Sequence, residues 1–367
     1  MFGINNQKSF DERAVDTVKV NTQILLQTNP GSSKKELVGS IDHGTSSTRF
    51  LLFTKEGKVA AWAQKEMTQI FPTTEGGEVG WHEHDPLETW NTVVLCMKAV
   101  VAAMNKELNR HNGRILSAYE ISTIGITNQR ESTIAWNAET GKVYYNAIIW
   151  DDTRTVDVAR SIAKGDDNRL REKTGLPLAS YFAGTKVRWL LDNVEALRYD
   201  LSTKPEVVRF GTTDTWIVYQ LTGSPLTKGA VTNTGGLHIT DASNASRWLL
   251  LDIHNVQWDE SLVEEVCGPH KVPLTALPKV MASSEIYGTI NKNSTGIDKL
   301  SGVPISAILG DQQAALCKYQ SSIRMLHTYG QANFAKFFLV ILFLSKQSVK
   351  LPLNQARPKT RTEQECF

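Results

Sequence analysis

Cysteine is scarce in this sequence and is not arranged for metal binding or cross-linking. The four cysteines lie at positions 96, 267, 317 and 366 and contain no CxxC spacing. This scatter argues against a zinc site or a disulfide framework and favours reduced thiols. We therefore expect a cytoplasmic protein.

Long apolar runs and a strong charge of one sign are also missing. No segment approaches the roughly twenty consecutive apolar residues of a membrane span, so we expect no transmembrane segment. The formal net charge of +2 predicts neither a nucleic-acid surface nor a polybasic membrane contact, and a small-molecule substrate is the expectation that remains. No GxxxxGK[ST] motif occurs, which argues against a P-loop phosphate site.

The length and composition are those of a folded protein with room for two domains. The chain has 367 residues, of which 41% are hydrophobic and 21% charged, values typical of soluble globular proteins. Residues 1–36 lack the apolar core of a secretory signal and end near the breaker-rich run NPGSS. We interpret residues 1–36 as a flexible N-terminal extension.

Residues 37–54, LVGSIDHGTSSTRFLLFT, predict two strands joined by a polar turn. Asp42 ends the first strand with a carboxylate that can face a metal ion. The turn offers hydroxyls, backbone N–H groups and one guanidinium that suit phosphate oxygens, from Thr45, Ser46, Ser47 and Arg49. An ordinary surface hairpin is the alternative, because the same residue types are common turn formers.

The elements that follow alternate between strand and helix. Residues 58–66 predict a third strand, residues 87–108 a helix beginning near Pro86, and residues 121–126 a buried strand. This order indicates an α/β fold. The sequence His82-Glu83-His84 precedes the helix, and we favour a positioned loop over a metal site because adjacent residues lack a distant third ligand.

Polar residues follow the strand at 121–126. In α/β sheets the carboxyl ends of strands commonly line the ligand crevice, so Gln129, Arg130 and Glu131 are placed to bind a small polar ligand. Arginine would donate hydrogen bonds and glutamate would accept them. A solvated charged loop is the alternative.

Two further strand ends carry candidate site residues. Trp150 ends the run NAIIW, where an indole can cover the carbon side of a small polar ligand, or can simply pack in the core. Asp311 follows the apolar run ILG, where a carboxylate could deprotonate a substrate hydroxyl, or could be an ordinary turn residue.

These segments together resemble a known family. The pattern D-x-G-T-x-S-x-R of residues 42–49 resembles the first phosphate motif of the FGGY carbohydrate kinases, in the actin and hexokinase superfamily. The runs ITNQRE, NAI-x-W, TGL with YFAGTK, and GDQQAAL are similar to runs of the glycerol kinases of that family. The resemblance covers residues 37–316.

The resemblance implies a fold and a domain organisation. It implies a ribonuclease H-like, actin-like ATPase domain of the α/β class over residues 37–304, with a mixed sheet flanked by helices. A second FGGY domain would begin at residues 305–345 and remain incomplete, and residues 346–367 would form a polar, disordered tail.

The resemblance also implies an activity and its residues. The implied reaction is transfer of the γ-phosphoryl group of ATP to glycerol, giving sn-glycerol 3-phosphate, with ATP and Mg²⁺ as cofactors. Asp311 would be the general base and Asp42 would hold Mg²⁺, through water. Glycerol would be bound by Arg130, Glu131, Trp150, Tyr181 and Gln312. The phosphates would be bound by Thr45, Ser46, Ser47 and Arg49. Homo-oligomerisation is left open.

Beyond residue 316 the resemblance ends. The run TYG at 328–330 continues as QANF, which differs from the family's second phosphate turn, and FFLVILFL at 337–344 predicts a misplaced strand or an aggregation-prone edge. Two alternatives to glycerol kinase therefore stay open. One is a truncated remnant with little or no activity, and the other is a kinase for another small polyol or sugar.

Overall fold

The structure is a computed structural model and describes residues 18–22, 35–73, 80–110, 119–227, 230 and 232–321. The predictions for residues 322–367, including the apolar run at 337–344 and the polar tail, lie outside the described residues. So does most of the segment 1–36.

Strands in the first half of the described chain carry the hairpin and the central strand. They are β1 (Lys19–Thr22), β2 (Lys35–His43), β3 (Ser47–Thr54), β4 (Val59–Glu66), β5 (Glu83–His84), β6 (Tyr119–Asn128), β7 (Thr133–Asn137) and β8 (Ala147–Ile148). The later strands are β9 (Val208–Thr212), β10 (Ser224–Pro225), β11 (Asn233–Thr234), β12 (Ile239–Asp241), β13 (Leu251–Asp252), β14 (Gln257–Trp258), β15 (Lys279–Met281), β16 (Ser284–Thr289) and β17 (Pro304–Gly310).

Helices separate these strands. They are α1 (Pro86–Arg110), α2 (Val156–Ala163), α3 (Arg171–Thr174), α4 (Ala183–Asn193), α5 (Glu195–Thr203), α6 (Thr213–Thr222), α7 (Ala242–Ala245), α8 (Glu260–Cys267) and α9 (Asp311–Ser321). Helix α1 begins at Pro86, as predicted, because proline is favoured in the first helical turn, where its missing N–H is not needed.

The larger sheet has seven described strands in the order β1-β4-β3-β2-β6-β17-β16. The hairpin β2-β3 and strand β4 are antiparallel, whereas β6 runs parallel to β2 and β17 runs parallel to β6. Asn128 at the end of β6 pairs with His43 on one side and with Gly310 on the other. The carboxyl ends of β2, β6 and β17 therefore meet at one edge, and the predicted mixed sheet with flanking helices is confirmed.

One core lies between this sheet and helices α1 and α6. Its members include Leu37, Phe50, Val100 and Ile126, all completely or almost completely buried. Helix α1 is long and apolar enough to cross a membrane by length and composition, but most of it is buried within the fold. We therefore interpret α1 as a core helix.

A second core surrounds a smaller sheet of order β5-β8-β7-β9 and helices α2, α4, α5 and α8. Its apolar contacts include Leu190, Phe210 and Trp248. Strand β9 leads directly into α6, which packs under the larger sheet. This connection fixes the smaller sheet beside the edge at which β2, β6 and β17 end.

One sequence prediction needs correction inside the described residues. Residues 1–36 were expected to be a flexible extension, but Lys19–Thr22 form β1 and pair antiparallel with β4. Strand β4 would otherwise present a row of unpaired backbone groups at the sheet edge, and edge pairing satisfies them. The short run KVNT carries too weak an apolar alternation to predict this strand from sequence.

Candidate active site

The ends of β6 and β17 bring an arginine and a carboxylate together. Arg130 follows β6 and is 4% exposed, and its Nη2 donates a hydrogen bond to Gln312 Oε1 at 2.6 Å. Arg130 Nε lies 3.7 Å from Asp311 Oδ1. Residues distant in sequence thus form one polar cluster at the sheet edge where parallel strands end, a position typical of ligand crevices.

Gly310 makes this close approach of Arg130 possible. A Cβ atom at position 310 would lie 2.4 Å from Arg130 Cδ, a distance that packed atoms do not tolerate. The Gly310 N–H also donates to Ser243 Oγ at 2.8 Å, so the end of β17 is held by the segment that forms α7. The glycine that precedes Asp311 therefore has a packing role that the sequence prediction did not include.

Asp311 has the environment of a proton acceptor. Burial raises the pKa of its carboxyl, Arg130 and the Gln312 N–H act in the opposite direction, and the negative charge of Asp42 raises it further. The side chain is nevertheless 48% exposed, so a substrate hydroxyl can reach it. A carboxylate with a raised pKa in a crevice is suited to general base catalysis.

Glu131 occupies a strained turn. Its φ angle is +60°, and the Ser132 N–H donates to Arg130 O at 2.7 Å across it, which closes a rare form of three-residue turn. The hydroxyl of Thr133 donates to Glu131 O and supports this conformation. Strain of this kind costs about 1–3 kcal/mol and concentrates at functional sites.

The Glu131 carboxylate is buried and ion-paired. Its Oε1 accepts a hydrogen bond of 2.6 Å from Arg247 Nε, and the residue is 1% exposed. Burial raises the pKa of Glu131, and the cations Arg130, Arg247 and Lys186 oppose that rise. The carboxylate keeps a second oxygen with which it can accept a substrate hydroxyl.

An aromatic pair stands beside these charges. The rings of Trp150 and Tyr181 meet edge to face, with centroids 5.7 Å apart. Burial raises the pKa of Tyr181, and Glu131 raises it further while Arg130 lowers it, which places the phenol within electrostatic range of the polar cluster. Apolar ring surface therefore lies beside the hydrogen-bonding groups, an arrangement suited to a small ligand with both polar and carbon surfaces.

A closed ring of hydrogen bonds links the hairpin turn to Trp150. Trp150 Nε1 donates to Thr45 Oγ1 at 2.9 Å, and Thr45 Oγ1 donates to Gln129 Oε1 at 3.3 Å. Ser132 Oγ donates to the same Gln129 Oε1 at 3.2 Å and accepts from Trp150 N at 3.1 Å. The predicted phosphate turn, the loop after β6 and the exit of β8 are thus one hydrogen-bonded unit.

The remaining hairpin residues differ in exposure and in contacts. Ser46 is exposed and Ser47 half-buried, so a ligand can reach both residues. Arg49 instead spans the sheet, donating from Nε to Gln64 Oε1 at 2.7 Å and lying 3.3 Å from Asp42 Oδ2. Cross-strand pairing of Asp42 with Arg49 in the hairpin register produces this contact.

Sequence reasoning missed two cations of the site. Arg247 lies just after α7 and covers the rings of Tyr181 and Phe182, with its guanidinium carbon 5.5 and 4.8 Å from their centroids. Lys186 on α4 is completely buried and donates from Nζ to Tyr181 O at 2.7 Å and Ser180 O at 3.1 Å. Neither residue follows a strand of the larger sheet, so no local signal singles it out.

Burial of Lys186 predicts a pH-dependent stability. Desolvation lowers the pKa of Lys186 from 10.5 to about 7, so the unfolded chain binds a proton between these values that the folded chain does not. We expect the free energy of unfolding to rise by about 2 kcal/mol from pH 7 to pH 9 through this group. Lys186→Met should remove that increment in urea unfolding curves. The matched surface variant Lys58→Met should keep it, and an unchanged slope in Lys186→Met would contradict the prediction.

The His82-Glu83-His84 segment has a hydrogen-bonding arrangement. His82 Nδ1 lies 2.7 Å from Asp151 Oδ1, and the Nε2 atoms of His82 and His84 lie 2.9 and 3.0 Å from Gln69 Oε1. Within the residues that the structure describes, no group of three or more His, Cys, Asp or Glu side chains could hold a metal ion. Glu83 and His84 of this segment form strand β5, so the segment is in part a short strand before α1 and not the loop expected from the sequence.

The sequence of this chain is similar to those of known proteins. A model of the N-terminal domain of the FGGY family of carbohydrate kinases matches residues 37–317. The sequence is 43% identical over 303 residues to a glycerol kinase of Saccharopolyspora erythraea, covering 81% of this chain and 53% of that relative. It is 43% identical over 282 residues to a glycerol kinase of Brucella anthropi, covering 77% of this chain and 50% of the relative. The chain spans about half the length of these curated relatives.

Solved structures agree with the sequence comparisons. The crystal structure of Plasmodium falciparum glycerol kinase with ADP superposes with a TM-score of 0.63 at 28% identity, covering 78% of this chain and 51% of that one. A xylulose kinase from Rhodospirillum rubrum shares the fold, with a TM-score of 0.61 at 19% identity, over 77% of this chain and 50% of that one. The family model matches well over half of the sequence, and the actin-like fold implied by the sequence resemblance is confirmed. The chain belongs to the FGGY family of carbohydrate kinases.

Proposed function

We propose that this chain is the substrate-binding and phosphate-binding part of an ATP-dependent glycerol kinase, which forms sn-glycerol 3-phosphate. The observation that carries the proposal is the cluster of Arg130, Asp311 and Gln312 at the ends of β6 and β17, with Asp42 close enough to raise the pKa of Asp311. The names of the curated relatives support glycerol as the substrate.

In this proposal, polar side chains bind the hydroxyl groups of glycerol and aromatic rings cover its carbon chain. Arg130 donates to a hydroxyl and Glu131 accepts from one, while Gln312, already bonded to Arg130, offers its amide group. Trp150 and Tyr181 cover the carbon chain. Asp311 accepts the proton of the terminal glycerol hydroxyl as the hydroxyl oxygen attacks the γ-phosphorus of ATP, and the bond from that phosphorus to the bridging oxygen of ADP breaks.

Phosphate binding is proposed for the hairpin turn. Ser46 and Ser47 offer hydroxyls and backbone N–H groups to phosphate oxygens, and Thr45 offers the hydroxyl now shared with Trp150. Arg49 contributes positive charge from its position between Asp42 and Gln64. These groups orient the phosphoryl chain toward Asp311.

We propose a magnesium ion at Asp42, whose charge acts on the neighbouring Asp311. Two carboxylates that interact electrostatically, one 17% and one 48% exposed, suit a hard cation that keeps several waters and takes one or two carboxylates from the protein. We propose that Asp42 holds Mg²⁺ through water. When bound, the ion would neutralise charge on the transferred phosphoryl group.

Isothermal titration with glycerol, xylulose and gluconate tests the substrate. We expect the chain to bind glycerol more tightly than either larger compound, because the curated relatives at 43% identity are glycerol kinases. Tight binding of a larger sugar without glycerol binding would overturn the glycerol assignment. It would support the alternative of a kinase for another sugar.

A further inference from the structure

We propose that Thr45 is a positioning residue that couples phosphate binding at the hairpin turn to polyol binding at Trp150, so that each ligand strengthens binding of the other. The inference rests on the proposed function. It adds that the two ligands of the site regulate each other's binding through one shared hydroxyl. Thr45 belongs to the phosphate turn by position, yet its Oγ1 contacts the indole that forms the proposed polyol wall.

The hydrogen bonds of the Thr45 hydroxyl are of unequal quality. A threonine hydroxyl has one donor and two acceptor sites. The acceptor contact from Trp150 Nε1 is 2.9 Å, whereas the donor contact to Gln129 Oε1 is 3.3 Å, longer than is usual for an O–H donor. The donated bond is therefore the weak one, and it is the one that a ligand can replace.

The unprotonated oxygens of a bound polyphosphate accept hydrogen bonds and do not donate them. A phosphate at the turn would compete for the Thr45 O–H, and the displaced Gln129 Oε1 would keep the hydrogen bond from Ser132 Oγ. The bond from Trp150 Nε1 to Thr45 Oγ1 would persist, because it uses an acceptor site. Donation to a charged oxygen polarises the hydroxyl and strengthens the bond that it accepts.

A hydrogen bond from Gln69 holds the backbone of Thr45, so the Thr45 hydroxyl can reorient while the main chain stays in place. Gln69 Nε2 donates to Thr45 O at 3.2 Å, and Gln69 Oε1 lies within hydrogen-bond distance of the Nε2 atoms of His82 and His84. His82 and His84 thus hold Gln69, and Gln69 holds the main chain at the turn. A change at Oγ1 is transmitted to Trp150 and is not absorbed by movement of the turn.

Coupling of this kind is reciprocal and measurable. If phosphate orders Trp150 against the turn, glycerol meets an indole that is already in place, and glycerol in turn favours the phosphate-bound hydroxyl orientation. Allosteric couplings typically amount to about 5-fold to about 150-fold in affinity. We expect the wild-type chain to lie near the lower end, because a single hydroxyl carries the effect.

The test uses the 367-residue chain with glycerol and magnesium tripolyphosphate as probes. Isothermal titration gives the glycerol Kd with and without saturating tripolyphosphate, and the indole N–H resonance of Trp150, assigned by comparison with Trp150→Phe, reports the contact directly. We expect a glycerol Kd about fivefold lower with tripolyphosphate in the wild type and in Thr45→Ser. In the isosteric Thr45→Val the two Kd values should agree within about twofold.

A second variant tests the same hydrogen bond in case Thr45→Val fails to fold. Trp150→Phe keeps an aromatic wall but lacks the N–H, and we expect it to lose the coupling as well. Wild-type coupling retained in both variants, or no coupling in the wild type when both probes bind, would overturn the inference and leave the proposed function standing. Failure of the wild type to bind glycerol under any condition would overturn the proposed function, and the inference with it.

Discussion

Asp311→Asn is expected to lower turnover by between about 100-fold and about 10,000-fold, while the glycerol Kd changes by less than about threefold. Asparagine has nearly the same shape as aspartate but cannot accept the proton of the attacking hydroxyl. Partial burial and the neighbouring charge of Asp42 raise the pKa of Asp311, so its replacement removes a base of increased strength. An effect on kcat without an effect on Kd separates proton acceptance from substrate binding.

The assay for this prediction needs both halves of the family's fold. Residues 1–317 can be joined to the part of the Saccharopolyspora erythraea relative that lies beyond the matched region, and ADP release can be followed beside the 367-residue chain with saturating glycerol. Asp157→Asn, in an exposed i,i+3 pair with Arg160, is the matched control and should leave turnover unchanged. Equal turnover in Asp311→Asn and wild type would exclude Asp311 as the base. Turnover of the unfused chain within about tenfold of the fusion would exclude the inactive-remnant alternative.

Arg130→Met is expected to weaken glycerol binding by about 10-fold to about 100-fold. Methionine fills similar space above Gly310 but has no N–H groups, so the substrate loses a charged donor and Gln312 loses the 2.6 Å bond that orients its amide. Asp311 also loses the cation that lies 3.7 Å away. Removing one member of a buried polar cluster costs more free energy than the contact contributes, because the remaining members stay desolvated.

Isothermal titration of the 367-residue chain measures this effect directly. Arg160→Met removes a guanidinium from an exposed pair of the same kind and serves as the control for a general loss of charge. Circular dichroism establishes that both variants fold, so that a loss of binding is not a loss of structure. A glycerol Kd in Arg130→Met within about twofold of the wild type would remove Arg130 from the binding site.

Local patterns were sufficient for the elements that carry the site. Alternation, turn residues or a helix start signal predict the hairpin at 37–54, the helix beginning at Pro86 and the strand that leads to Gln129. Strand ends are readable too, so Asp42, Arg130 and Asp311 could be expected to face one crevice once the strands were taken as parallel. These properties depend on residues within about ten positions of one another, and sequence order preserves them.

Only the tertiary structure determines which distant residues contact these side chains and which side chains are buried. Glu131 and Arg247 are 116 residues apart, and their pairing depends on how the segment after α7 crosses the end of β6. Lys186 looks like a surface helix residue, yet α4 packs so that its amine is completely buried. Strand β1 exists because β4 offers an edge, and Thr45 meets Trp150 because two sheets place a turn and a strand exit together. Local sequence patterns determined the main elements of this protein. The contacts between distant elements were set by the close packing of the folded core, which the order of residues does not show.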